Sequence, residues 1–322
     1  MYPLKFEKVF KKKIWGGQKF ATELDIALPD GDKYGESWEL CSRASGVSRI
    51  MNGPLKGKTL EDVYQEYGSE LVGEEVYSEF PDKFPLLVKY LDIEGLLSIR
   101  VHPDDKYAMR HEKDYGKSKS WYILDASPDA KVIMGLADGV GREEFLRRAA
   151  DKDFEGLFRI IPVKKGDFID IEPGTVYSSY EGTLLVCEIQ QNSETKYRIY
   201  DYERDRNGNP KEIHLEKAAE IIRYGQKPLI SSTDTRQTME FEGAQIQELV
   251  RHRNYNVDHM LVEKEMLAEA YKNFKVLTVI SGSAIMSAGK EKYEMKKGDT
   301  YFIPAKVRVG IEGSVELLKS YL

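Results

Sequence analysis

Lys164-Lys165-Gly166-Asp167, followed by Glu172-Pro173, occurs again as Lys296-Lys297-Gly298-Asp299, followed by Ile303-Pro304. The two glycines lie 132 residues apart. Each time a charged, glycine-containing turn feeds a short apolar segment that ends at proline, the signature of a turn followed by a strand. Upstream, Val132-Ile133-Met134 matches Ala284-Ile285-Met286 at a separation of 152 residues. The excess of 20 is about the length of an additional helical segment, 140–158, in the first copy. The same order of elements in both copies predicts two related β-rich domains.

Working outward, tyrosine reaches 20 residues and β-branched residues are widespread, as suits strands. Segments 85–91, 97–101, 121–124, 131–134, 168–171 and 184–189 read as strands, and 58–67, 104–111 and 142–151 as helices. Segment 211–224 reads as a further helix, with Ile213, Ala218, Ala219, Ile221 and Ile222 roughly on one face. A polar stretch at 231–240 marks a boundary, so one domain is expected at 1–232 and a second at 233–322. The repeated unit of charged turn, Gly-Asp, apolar strand and proline resembles that of a cupin barrel. The expected fold is therefore mainly β, two cupin-type jelly-roll β-barrels with a few helices.

The 322 residues suffice for two cores, and 41% hydrophobic with 32% charged residues is a soluble, globular balance. A net charge of −6 argues against a general nucleic-acid binder. No apolar run approaches the ~20 residues of a membrane helix. Cys41 and Cys187 lie far apart, and the first residues carry no signal-peptide pattern, so a reducing cytoplasm is the expected location. Gly116-Lys117-Ser118 lacks the spacing of a phosphate loop, which leaves nucleotide binding unsupported. His111 and His214, in charged helical surroundings, are expected at the surface.

Ser98, Arg100 and His102 alternate, and so do Lys117, Lys119 and Trp121, so each set projects to one face of a strand. Adjacent in a barrel, both sets would line its interior. The segments Leu97-Ser98-Ile99-Arg100-Val101-His102-Pro103-Asp104-Asp105, Gly116-Lys117 with Trp121-Tyr122, and Pro173-Gly174-Thr175-Val176 come in order. Glu188-Ile189-Gln190-Gln191-Asn192-Ser193, Tyr197-Arg198 and Tyr200-Asp201-Tyr202 follow. Together they resemble the short bacterial form of type I mannose-6-phosphate isomerase. Trp15-Gly16-Gly17 and Gly35-Glu36-Ser37-Trp38-Glu39 extend the resemblance over nearly the whole chain.

The resemblance implies interconversion of mannose 6-phosphate and fructose 6-phosphate through an enediol, with one zinc ion polarising the sugar carbonyl. It implies zinc ligands in a Gln and a His two residues apart, a Glu shortly after, and a second His in the Pro-Gly-Thr segment. Here those positions hold Arg100, His102, Lys119 and Tyr177, so that only His102 is retained. A guanidinium offers no lone pair, and lysine and tyrosine ligate only after losing protons with ordinary pKa values near ~10.4 and ~10. Zinc is thus implied by the resemblance and opposed by the residues. The resemblance further marks Arg198, Lys117 and Glu194 as candidate catalytic residues, and Lys89 and Ser98 as neighbours of the substrate phosphate. Arg100 and Lys119 become candidate substrate-binding cations in place of the metal charge.

Plainer roles stand beside these: Arg100 and Lys119 paired with Glu188 or Glu172, Arg198 with Asp201, and Tyr177 as a packed aromatic with a satisfied hydroxyl. Two functions follow. One is the isomerase, with metal-independent or impaired chemistry; the other is a non-catalytic sugar-phosphate-binding protein or sensor. Either implies a small phosphorylated sugar as partner, no nucleic acid and no membrane, with a homo-oligomer left open. The second barrel has no histidine at a ligand position, since His259 lies too far upstream, and is expected to be structural.

Overall fold

The computed structural model describes residues 1–43, 45–202, 211–267 and 270–322. It divides into two compact units, Met1–Lys11 with Gln18–Tyr90 and Ser232–Leu322, and Lys12–Gly17 with Leu91–Ser231. Strands dominate both, and among the described residues no helix is long and apolar enough to cross a membrane. Cys41 and Cys187 are buried free thiols.

In the second unit, a five-stranded antiparallel sheet runs in the order Phe158–Pro162, Lys131–Leu136, Tyr177–Glu181, Ile99–Val101, Tyr197–Tyr200. A facing layer carries Leu229–Ser231, Phe168–Ile171, Lys119–Ala126 and Leu184–Gln191 side by side. Alternation sorts the side chains. Val132, Met134 and Tyr177 from the first sheet pack with Trp121, Ile123, Ile169 and Val186 from the second. Ile99, Val101, Ile133, Tyr197 and Ile199 point the other way, against helices Arg142–Ala150 and Leu215–Ile221. The result is a jelly-roll sandwich, mainly β as expected, in which the sheets face one another as open layers rather than closing into a continuous barrel.

In the first unit, Leu4–Lys5, Thr300–Ile303, Lys275–Ala288, Gly310–Tyr321, Asn256–Val262, Ala244–Arg251 and Thr238–Phe241 form one antiparallel sheet. It curls around Met260, Leu277, Val279, Met286, Met295, Val315 and Leu317. Helix Leu60–Tyr67 starts from a capping box between Thr59 and Asp62 and buries Tyr64 against Phe84.

The repeated sequence is a repeated turn, one copy in each unit. Gly166 N–H donates to Ile123 O at 2.8 Å, and Gly298 N–H to Val279 O at 2.9 Å. The Asp167 and Asp299 amides donate to the carbonyls of Lys164 and Lys296, both at distances near those values (3.1 and 2.9 Å). The glycine φ angles, 87° and 85°, lie in the left-handed region that side chains disfavour, which explains glycine at both places.

One expected element is shorter than its pattern. The helix read at 211–224 spans Leu215–Ile221. His214 N–H donates to Arg198 O at 2.8 Å, and Arg198 N–H donates to His214 Nδ1 at 3.3 Å, which holds His214 outside the helix, with φ −125° and ψ 52°. His214 is consequently half-buried rather than a surface residue.

Candidate functional site

Strand Ile99–Val101 directs its two aliphatic side chains to the helices and Arg100 to the opposite face. Arg100 stands directly across from Tyr177 on one neighbouring strand and from Arg198 on the other. His102 follows at the strand end. The chain then makes a helical excursion, Asp105–Glu112, capped by the Asp104 side chain accepting from Tyr107 N–H at 2.8 Å. Gly116 closes the excursion: a Cβ there would come within 2.4 Å of Asp104 C and Asp105 N. That close return lets Lys117 N–H donate to Pro103 O at 3.0 Å, setting Lys117 and the strand beginning at Lys119 beside His102.

His102 is almost fully buried, 3% exposed. Its Nδ1 lies 3.1 Å from Thr195 O, an acceptor, so Nδ1 carries the proton and Nε2 the lone pair. The Tyr177 hydroxyl lies 2.7 Å from Nε2 and donates to it. Burial, then the charges of Lys117, Lys119 and Arg100, hold the imidazole pKa well below its ordinary value and keep the ring neutral. Lys119 pairs with Glu188 at 2.8 Å, and Trp121 Nε1–H donates to the same carboxylate oxygen at 2.6 Å. The Lys119 ammonium also lies 4.6 Å above the Tyr177 ring, while Trp121 meets that ring edge-on.

Ser98 donates to Asp201, and Arg100 donates to Ser98 Oγ at 3.1 Å. Asp201 also pairs with Lys211 at 3.0 Å and lies 3.8 Å from Arg198 Nε. Burial pushes the Asp201 carboxyl up, but Ser98 and Lys211 outweigh it and hold the pKa below its ordinary value. Burial, then Arg100, lowers that of Arg198, whose Nη1 donates to Glu212 O at 2.7 Å.

The structure thus assembles Ser98, Arg100, His102, Lys119, Tyr177 and Arg198 in one layer between two sheets, with Lys117 buried at its margin. Glu194 is exposed on the following loop, its N–H held by Asp114 at 2.9 Å. Lys89 belongs to the other unit, where it pairs with Glu36 at 3.5 Å. Glu172 faces Arg223 at 3.6 Å and Gln226, not the cations read beside it in the sequence. Two determinants have no sequence signal of their own. Thr195 acts through its backbone carbonyl, and Asp114 gathers Ser193, Glu194 and Thr195 from 79 or more residues away.

A zinc ion asks for about four lone pairs in tetrahedral array. Among the described residues, no cluster of His, Cys or carboxylate ligands includes His102. The one imidazole lone pair accepts a phenolic proton, and the charges that act on the ring are those of Lys117, Lys119 and Arg100, all cations. These residues do not fit a zinc ion.

The chain matches the catalytic domain of type I phosphomannose isomerase over residues 3–125 and the mannose-6-phosphate isomerase cupin domain over residues 245–322. It is 38% identical to GmuF and 35% identical to the mannose-6-phosphate isomerase ManA, both of Bacillus subtilis, in each case across 99% of both chains. It superposes on the crystal structure of mannose 6-phosphate isomerase from Bacillus subtilis with a TM-score of 0.89 and 34% identity, covering 100% of both chains. The order of motifs, the jelly-roll frame and full-length identity agree: the chain belongs to the type I phosphomannose isomerase family.

Proposed function

We propose that this family member binds a phosphorylated sugar without carrying out zinc-dependent interconversion of mannose 6-phosphate and fructose 6-phosphate. The observation that carries this reading is the Tyr177 hydroxyl on His102 Nε2 at 2.7 Å. Zinc would need that lone pair, and the adjoining position is taken by a buried Lys119–Glu188 pair. The cations Arg198, Arg100 and Lys117 support binding of an anion, because a low-dielectric interior strengthens their attraction for it. In this reading the chain is a sensor or a carrier of regulation built on an isomerase frame.

A second reading, metal-independent isomerisation, draws on the neutral His102–Tyr177 pair beside Lys117 and Arg198. Arg198 would then stabilise the enediolate oxygen and Lys117 would move the proton between the two carbons. Glu194, exposed on its loop, is the weaker proton carrier.

Turnover of mannose 6-phosphate with added zinc and with chelator, beside an Arg198→Ala control, decides between them. The binding reading expects no turnover above that control, together with calorimetric binding of mannose 6-phosphate. Chelator-resistant turnover lost in Arg198→Ala would establish the second reading. Zinc-dependent turnover would overturn both.

A further inference from the structure

Arg100 and Arg198 are register partners on neighbouring antiparallel strands, so their side chains leave the same face of the sheet opposite one another. Like charges in that position repel. The Arg198 side chain is only 11% exposed, and its pKa is lowered by burial and by Arg100. Among the described residues, the Nε–H of each guanidinium is buried without a hydrogen-bond acceptor. Arg198 Nε has Asp201 no nearer than 3.8 Å, and that carboxylate is committed to Ser98 and Lys211. Arg100 has one described hydrogen bond, to Ser98, whose own proton goes to Asp201. Two fixed charges therefore sit together with forked donors left over, beside the neutral His102–Tyr177 pair. Planar N–H forks match the oxygen pairs of carboxylates and phosphates.

We infer that Arg100 and Arg198 form a two-guanidinium clamp for an oxyanion, so that the ligand is a sugar whose phosphate or carboxylate is seated between them. The inference rests on the sugar-phosphate reading and adds which groups hold the charge. An oxyanion there satisfies both Nε–H donors and cancels the repulsion. Without it, the pair is a destabilising feature retained for binding.

The test is calorimetry with mannose 6-phosphate, 6-phosphogluconate, gluconate and mannose on the wild type, Arg100→Gln and Arg100→Lys, with melting curves of each unliganded protein. The expected result is that mannose does not bind and that Arg100→Gln weakens every anionic probe that does, by about tenfold or more. Arg100→Lys, which keeps the charge but loses the fork, should fall between. Unliganded Arg100→Gln should melt higher than the wild type, a gain that a merely structural arginine would not give. Gluconate binding marks a carboxylate as the seated group; binding confined to the two phosphorylated probes marks phosphate. Anion binding that survives Arg100→Gln and Arg100→Lys undiminished overturns the clamp and leaves the sugar-phosphate reading standing. Failure of every anionic probe overturns both.

Discussion

At the scale of single residues, the His102 side of the site is a set of paired groups, in contrast to the open donors of Arg100 and Arg198. Tyr177 donates to the only lone pair of a buried imidazole, so Tyr177→Phe leaves His102 Nε2 without a partner in the interior. The expected loss is roughly 1–3 kcal/mol in denaturant unfolding, and an unshifted midpoint would refute the bond. Lys119 is 6% exposed and Glu188 1% exposed in their side chains, so they form a true interior pair. Lys119→Met removes the ammonium from a carboxylate that keeps the Trp121 indole, at a cost of roughly 3–5 kcal/mol. Adding Glu188→Gln, which removes the charge and keeps an acceptor for the Trp121 indole, should recover most of that loss. If the double variant is no more stable than the single one, the pair is not the unit described here. His102, Lys119 and Arg100 could be read from the sequence because strand alternation puts i and i+2 on one face. The resemblance implies that Tyr177 lies near His102, since both stand at ligand positions, but the bond between them depends on the tautomer that Thr195 O sets and could not be read.

Elements carry the site by returning the chain to the same place. The helix Asp105–Glu112 is legible to within a residue at 104–111, and the strand Phe168–Ile171 through its apolar run. The helix that the pattern predicts at 211–224 starts only at Leu215, because a sequence pattern does not reveal that His214 pairs with the Arg198 backbone. Gly174 fixes another return. Its N–H donates to His102 O at 2.8 Å, its own carbonyl accepts from Arg223 N–H at 3.0 Å, and its φ is 86°. A Cβ at this position would lie 2.7 Å from Ile221 O, so both backbone conformation and space exclude a side chain. Gly174→Ala is expected to cost about 1–3 kcal/mol or more and to loosen the segment leading to Tyr177. Hydrogen exchange should show faster exchange at Gly174 and Arg223, whereas wild-type protection and melting temperature would count against this role.

Across the whole molecule, the frame and the metal site are separable. A TM-score of 0.89 at 34% identity shows a backbone that holds its shape while most side chains differ. Fold does not carry function; the groups placed on it do. If replacement of three ligand positions is what removes zinc, returning them should be enough to recreate a site around His102. The variant combining Arg100→Gln, Lys119→Glu and Tyr177→His has a carboxylate introduced beside Glu188, and these repel without a cation between them. It should therefore be less stable than the wild type when metal-free, and it should gain stability from zinc. At a free zinc concentration about 100-fold above the dissociation constant the gain is ~2.7 kcal/mol. The wild type should melt at the same temperature with zinc and with chelator, and should hold no stoichiometric zinc after dialysis, by elemental analysis. Zinc retained by the wild type would contradict the assignment of His102 Nε2 to Tyr177. A triple variant that folds yet takes up no zinc would show that the loss extends past the ligand positions, into the orientation set by Thr195 and the Asp114 loop. Either result is read from metal content and melting temperature, so neither depends on catalysis being restored.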